Sequence, residues 1–282
     1  MSVVWNMDLV QSSRLFASLH PVLVQLNWPN LKWPTLAECQ AVLDSLPQSP
    51  TTASGARLRV VHPASGKPED WRQRYEARIY LTGELQTRAC WHDVFNLLVW
   101  ATFPRAKAAL NARHYALLEA RVNSPSTPRL PQQDTLTQFD ESGVVIVSAD
   151  QTLSALLQNF QWKNLFCERR NEVEAQMRCY LFGHGLMEKA LTPYRGMTGK
   201  GIVLSVEPTF FAKTPSQQMA IIDEGLARLI ADPERLGQPN DFAPVPVLGF
   251  PGFTSESENP DYYEDQQYFR PGRQKVMNDT LK

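Results

Sequence analysis

The apolar positions of this chain are densest between residues 91 and 122. Within that stretch, and again near residue 184, polar side chains fall where burial should be costly. From Trp91 to Phe103, apolar side chains (Val94, Phe95, Leu97, Leu98, Val99, Trp100) occur at almost every angle of a helical wheel, which predicts a helix enclosed on most sides. Its polar positions, His92, Asp93 and Asn96, lie in the first turn and a half, where Asp93 also suits the helix dipole. Pro104 can open a second helix, rich in alanine and leucine, that runs to Val122. Leu110, Tyr115, Leu117, Leu118 and Val122 form its apolar arc, and Lys107, Asn111 and His114 project within that arc instead of opposite it. A third helix is expected from about Glu168 to Leu191, with Val173, Met177, Tyr180, Leu181 and Leu191 on one stripe and His184 at its centre. Glu188 follows one turn later, so His184 and Glu188 are expected to meet by i, i+4 geometry. Gly183 and Gly185 bracket the histidine at a cost of about 1 kcal/mol each against alanine in a helix. Close approach by another backbone or by a ligand is the usual reason for such glycines.

Period-two and β-rich segments are fewer. Arg57 to Val61 reads as a strand, and Tyr75 to Thr82 alternates Ala77, Ile79 and Leu81 with Glu76, Arg78 and Tyr80, the pattern of a half-buried strand. Thr135 to Phe139 and Val144 to Ser148 flank Asp140-Glu141-Ser142-Gly143, which predicts a hairpin with the acidic pair as turn residues. Ile202 to Val206 adds a further strand. The expected fold class is α+β, mainly helical with a small antiparallel or mixed sheet and long proline-rich ordered loops, consistent with 21 prolines. Residues 1–50 read as short helices broken by prolines, Leu36 to Leu46 the most amphipathic, packed on a main domain spanning 57–282. The loop PQSPTTASG separates the two parts.

Composition narrows the function classes. With 282 residues, 43% hydrophobic and 20% charged, the chain can bury a sizeable core. Lysine plus arginine (28) nearly balance aspartate plus glutamate (29) and no block of like charge occurs, so no nucleic-acid or anionic-membrane partner is expected. No apolar run is long enough to span a bilayer, and the start lacks a charged segment followed by an apolar one, so the expected location is the cytoplasm. Cys39, Cys90, Cys167 and Cys179 form no C-x-x-C pair, which argues for free thiols over a zinc ribbon or redox site. The segment Gly196-Met197-Thr198-Gly199-Lys200-Gly201 lacks the hydroxyl of a P-loop and follows a helix instead of a strand.

Two readings of the polar residues follow. In the first, the three helices line the pocket of a hydrolase with a small-molecule substrate. His92, His114 and His184, with Asp93 or Glu188, would then hold a divalent transition metal such as zinc, manganese or iron, which activates water. Without metal, His184 with Glu188 would act as a general base while Lys107 and Asn111 hold an oxyanion, with Asp93 and Asn96 in the same wall. In the second, the protein is a non-catalytic binding or interaction module, the polar cluster fixes helix docking, and residues 244–270 offer a protein partner the aromatic groups Phe250, Phe253, Tyr262, Tyr263, Tyr268 and Phe269 beside Arg270. An open cavity at the histidines would favour the enzyme.

Five segments, WHDVFNLLVWATFPRAKAALN, FDESG, FGHGLMEKALTPYRGMTGK, PVLGFPGF and NPDYYEDQQYFR, resemble the bacterial domain-of-unknown-function family numbered 3025, over roughly Trp71 to Arg270. The resemblance implies no activity, cofactor or catalytic residue.

Overall fold

The computed structural model describes residues 4–28, 31–123 and 131–272. Short helices α1 (Met7–Ser12), α2 (His20–Leu23) and α3 (Leu36–Asp44) open the chain, and α3 begins at Thr35 in a capping box with Glu38. They are fastened to the rest by rings: Trp5 stacks on Trp91 with centroids 4.4 Å apart, and Phe16 stacks on Phe95 at 5.4 Å. Strands β1 (Arg59–Val61) and β2 (Glu84–Gln86) pair in parallel around α4 (Tyr75–Thr82). Helices α5 (Trp91–Thr102) and α6 (Pro104–Asn123) run as the sequence predicts, and eleven of the twelve residues of α5 are buried. The chain continues through α7 (Pro131–Ser142), β3 (Gly143–Ser148), α8 (Gln151–Gln158), α9 (Arg170–Gln176), β4 (Met177–Leu181), α10 (His184–Ala190), β5 (Thr198–Ser205), α11 (Pro215–Ala231) and β6 (Ala243–Pro246).

The main sheet has the order β4-β3-β5-β6 and is mixed: β3 pairs antiparallel with β4 and parallel with β5, and β6 adds antiparallel to β5. Every residue of β3 is buried, which is why its sequence, GVVIVS, is a continuous apolar run and not an alternation. Helices α4 and α11 pack on α6. Asp223 of α11 caps the start of α6, accepting the backbone N–H groups of Arg105 (3.2 Å) and Ala106 (2.8 Å). The α+β class therefore stands, and no helix among the described residues is long and apolar enough to cross a membrane.

Three expectations are corrected. Tyr75 to Thr82 is a helix, α4, not a strand: over eight residues the two periods are hard to tell apart, and of the alternating set Ala77 and Ile79 are buried while Leu81 is exposed, with Tyr80 stacked on Tyr115 of α6. Gly83 ends it at φ 71°, where an added Cβ would lie 2.0 Å from the Arg57 carbonyl oxygen. The hairpin at Asp140-Glu141-Ser142-Gly143 does not form. Helix α7 turns Thr135, Leu136, Phe139 and Asp140 inward at helical spacing and passes directly into β3, which pairs with β4 and β5 instead. The helix expected from Glu168 to Leu191 is three elements, α9, β4 and α10, because its apolar stripe at residues 177–181 belongs to a strand with four of five residues buried.

The aromatic tail, residues 244–270, is wrapped onto its own core. Phe250, Tyr262, Tyr263, Tyr268 and Phe269 are buried, and the Tyr268 hydroxyl donates to the Met197 carbonyl (2.8 Å) while accepting from the Leu248 N–H (2.9 Å). The rings proposed from sequence as a partner surface are thus turned inward. Arg195 ties the tail to the loop before β5 through Glu256 (2.9 Å) and Asp265 (3.4 Å). Cys39 and Cys179 are buried, Cys90 and Cys167 are partly so, and all four are free thiols.

Candidate functional site

Two chain crossings bring the polar residues together. Where α7 becomes β3 and where β4 becomes α10, Gly143 and Gly183 lie against each other, and the Gly143 carbonyl accepts from the N–H groups of Phe182 (3.0 Å) and Gly183 (2.9 Å). A Cβ on Gly183 would lie 2.4 Å from the backbone nitrogens of both Gly143 and Ser142. One on Gly185 would lie 2.3 Å from Oε2 of Glu141. The two glycines flanking His184 therefore let the end of α7 pass beside the start of α10, the close approach that their cost in the sequence suggested. His184 is the first residue of α10, not the centre of a long stripe. The start of α5, carrying His92, packs against α10.

Three donor atoms converge at this point. His92 Nε2 and His184 Nε2 are 3.1 Å apart, Glu141 Oε1 is 3.6 Å from His184 Nε2, and it is 3.8 Å from His92 Nε2. The point equidistant from the three lies about 2.0 Å from each, the length of a zinc bond to imidazole or carboxylate. The far side of each imidazole faces a carboxylate. His92 Nδ1 hydrogen-bonds Glu188 Oε2 at 3.2 Å, and His184 Nδ1, which makes no hydrogen bond among the described residues, has Asp140 Oδ1 at 3.9 Å. A proton placed on each Nδ1, on the side of these acids, would leave both Nε2 atoms with lone pairs, aimed at each other and at Glu141.

Electrostatics support that arrangement. Burial pulls the His184 pKa down to about 4, against the pull of Asp140, so the ring is neutral at neutral pH. Burial alone would raise Asp140, but the ammonium of Lys107, 2.5 Å away, holds it below the usual carboxylate range. Lys107 is 4% exposed and also lies over the Trp100 ring, 5.6 Å from its centroid. Glu141 is raised, chiefly by burial.

The other residues expected in the site serve its walls. Asp93, lowered because Arg88 outweighs its burial, binds Arg88 through both oxygens (2.8 and 3.1 Å) and the Arg88 N–H (2.8 Å). Asn96 donates to the Tyr75 hydroxyl (2.6 Å), leaving its buried Oδ1 without a hydrogen bond among the described residues. Asn111 donates to both the carbonyl and Oε2 of Glu76 (2.9 and 2.7 Å). The donors expected to form an oxyanion hole, Lys107 and Asn111, thus have carboxylate partners of their own. His114 lines the same cavity but is not among the three converging donors, and Glu188 meets His92 on another helix in place of His184 on its own. Glu141 is the converging donor that the sequence reading missed. Its signal was present in the helical spacing of Thr135, Leu136, Phe139 and Asp140, which the turn-like composition of DESG obscured.

Two cavities meet at the histidines. One of about 420 Å³ is bordered by Tyr75, Glu76, Arg88, Asn96 and His114. The other, about 700 Å³, is bordered by Trp33, Cys90, Gly185, Lys189 and Thr192. His92 and Glu141 line both, and their side chains are 36% and 43% exposed. A group held by the three donors would therefore face solvent.

Among known proteins, a family model described as "Protein of unknown function (DUF3025)" matches residues 58–273. No curated protein and no solved structure matches.

Proposed function

The chain belongs to the DUF3025 family, whose description assigns no activity, and we propose that it is a metal-assisted hydrolase with its ion held by His92, His184 and Glu141. One observation carries the proposal: two imidazole nitrogens and a carboxylate oxygen converge within 3.1 to 3.8 Å while the opposite nitrogen of each ring faces an acid. Three lone pairs so disposed repel one another unless a cation lies between them. Two histidines and one glutamate form a donor set used by hydrolytic zinc, and a solvent-facing position remains for water. The ion would lower the pKa of that water to about 7 and polarise the bond under attack. In this assignment Glu141 takes the place expected for His114. Glu188 and Asp140 orient the two rings, and Lys107 keeps Asp140 ionised.

The test is elemental analysis of purified, untagged protein after exposure to zinc, manganese and ferrous ions. Near-stoichiometric metal is expected in the wild type and in His114→Ala, with loss in the His92→Ala, His184→Ala double variant. The loaded protein should then cleave some member of a panel of esters, amides and phosphoesters, and Glu141→Gln should not. Metal retained by the double variant, or none taken up by the wild type, overturns the assignment.

A further inference from the structure

The two cavities differ in charge, and the difference points to a substrate. Resting on the hydrolytic metal reading above, we infer that the substrate is a short peptide with both ends free, lying across His92 and Glu141 with its ammonium toward Glu76 and its carboxylate toward Lys189.

The smaller cavity is bordered by the carboxylates of Glu76, Asp93, Asp140 and Glu141. Asp93 is neutralised by Arg88, the only arginine or lysine on that wall, and Asp140 by Lys107 beneath it. Glu141 faces the ion. Glu76 alone lacks a cationic partner among the described residues; its contact is the uncharged amide of Asn111. Asn96 lines the same cavity, but its Oδ1, which meets no donor among the described residues, is itself shut off from solvent. A carboxylate without a cation on that wall suits a group that carries several N–H bonds and a positive charge.

The larger cavity is closer to balance, with the carboxylate of Glu188 beside the ammonium of Lys189. Glu188 is engaged by His92, whereas Lys189 forms no ion pair among the described residues and is felt only at a distance by Glu141. Trp33, held edge-on against Trp91 with centroids 5.5 Å apart, supplies a flat apolar wall there, with Leu191 beside it. That side suits a carboxylate next to an apolar or aromatic side chain. Because His92 and Glu141 line both cavities, a molecule occupying both must pass the ion with bonds on either side of it.

The reaction is amide hydrolysis. The oxygen of water would bond to the carbonyl carbon, and the proton it gives up would pass to the nitrogen as the carbon–nitrogen bond breaks. The products are one carboxylate and one ammonium, with no change of oxidation state. A free peptide thus yields two smaller zwitterions.

The experiment uses zinc-loaded full-length protein and alanine peptides of two to four residues ending in phenylalanine. Each is supplied free, N-acetylated, and C-amidated. Free peptides should be cleaved with kcat/KM at least tenfold above either blocked form. Glu76→Gln, which keeps the acceptor for Asn111, should abolish the penalty for acetylation and leave the penalty for amidation. Lys189→Met should do the reverse. Because each variant is judged by a ratio between two substrates, general loss of folded protein does not alter the reading. Equal cleavage of free and blocked peptides, or cleavage of esters or phosphoesters but no peptide, overturns this inference and leaves the metal hydrolase standing. Absence of cleavage for every substrate class overturns both.

Discussion

Replacing each of the two glycines beside His184 by alanine should separate folding from metal binding. At Gly183 a Cβ would sit 2.4 Å from two backbone nitrogens and 2.6 Å from the Glu141 carbonyl carbon, all in the α7–β3 junction. Backbone at that crossing has nowhere to go, since the Gly143 carbonyl is already bound to two N–H groups. Overpacking of a buried site costs about 1–3 kcal/mol and occasionally more, and loss of these two hydrogen bonds adds about 1 kcal/mol each, so Gly183→Ala should lose on the order of 3–5 kcal/mol. At Gly185 the nearest atom, at 2.3 Å, is the far end of the Glu141 side chain, which can swing away; the Glu141 carbonyl oxygen at 3.1 Å needs to yield only slightly. Helix propensity there favours alanine by about 1 kcal/mol, so Gly185→Ala should match the wild type in stability to within about 1 kcal/mol. Its carboxylate, however, is pushed out of the ligand triangle, and metal affinity should fall by more than the 10- to 100-fold or so typical of a lost supporting contact. Urea denaturation of metal-free protein measures the first quantity and competition with a chromophoric chelator the second. A Gly185→Ala variant that binds zinc as tightly as the wild type would refute the placement of Glu141 as a ligand. A Gly183→Ala variant of native stability would refute the close-crossing argument.

Four further outcomes are expected. The Lys107–Asp140 pair has side chains 5% and 13% exposed, so Lys107→Met alone should cost about 3–5 kcal/mol by stranding a buried carboxylate, while adding Asp140→Asn should recover part of that; additive losses in denaturation would remove the coupling. Asp223 is raised to about 6 by burial, so the folded state holds its proton more tightly than the unfolded chain; its contribution to stability is present below pH 4 and lost between about pH 4 and 6, and Asp223→Asn, which keeps the acceptor for the Ala106 N–H, should flatten the urea midpoint over that window. Tyr268→Phe should lose about 1–3 kcal/mol by stranding the Leu248 N–H, since the Met197 carbonyl keeps the Val247 N–H, a loss that a tail serving only as a partner surface would not show. In nitrogen-15 spectra of zinc-loaded protein at pH 7.5, His92 and His184 should both carry their proton on Nδ1, and an Nε2–H tautomer at either would contradict the roles of Glu188 and Asp140.

How much of this was legible beforehand depended on what each residue's neighbours in sequence could report. Helices α5 and α6 could be read because twelve and twenty residues give several turns over which the 3.6-residue period repeats. The burial of Lys107, Asn111, His114 and His184 was legible too, since each interrupts an apolar surface. Tyr75 to Thr82 was not, because eight residues fit both periods and the choice was made by contacts with α6. Residues 168–191 failed for a different reason: a strand buried on both faces has no alternation, so β4 blended into the helices flanking it. Glu141 is a tertiary fact. Its composition is that of a turn, and only the crossing of two glycine junctions, forty residues apart in sequence, turns it toward two histidines.

That crossing also bears on what else could lie between the imidazoles. A shared proton would join His92 and His184 through an Nε2–H···Nε2 hydrogen bond, and the 3.1 Å separation permits it. One ring would then carry a proton on Nε2 and either become cationic or surrender its Nδ1 proton. For His184 the first course is opposed by the burial that draws its pKa to about 4, and the second sets a bare lone pair toward Asp140, whose charge Lys107 sustains. For His92 the second course breaks the contact with Glu188, at about 1–3 kcal/mol for a charged acceptor, although the ring is exposed enough for the first. Glu141 distinguishes the two occupants. A proton shared by two neutral rings supplies no charge for a carboxylate to answer, yet α7 delivers Glu141 to within 3.6 and 3.8 Å, past a glycine at 185 that gives it room. Three donors around one point are what a divalent cation requires and what a proton does not.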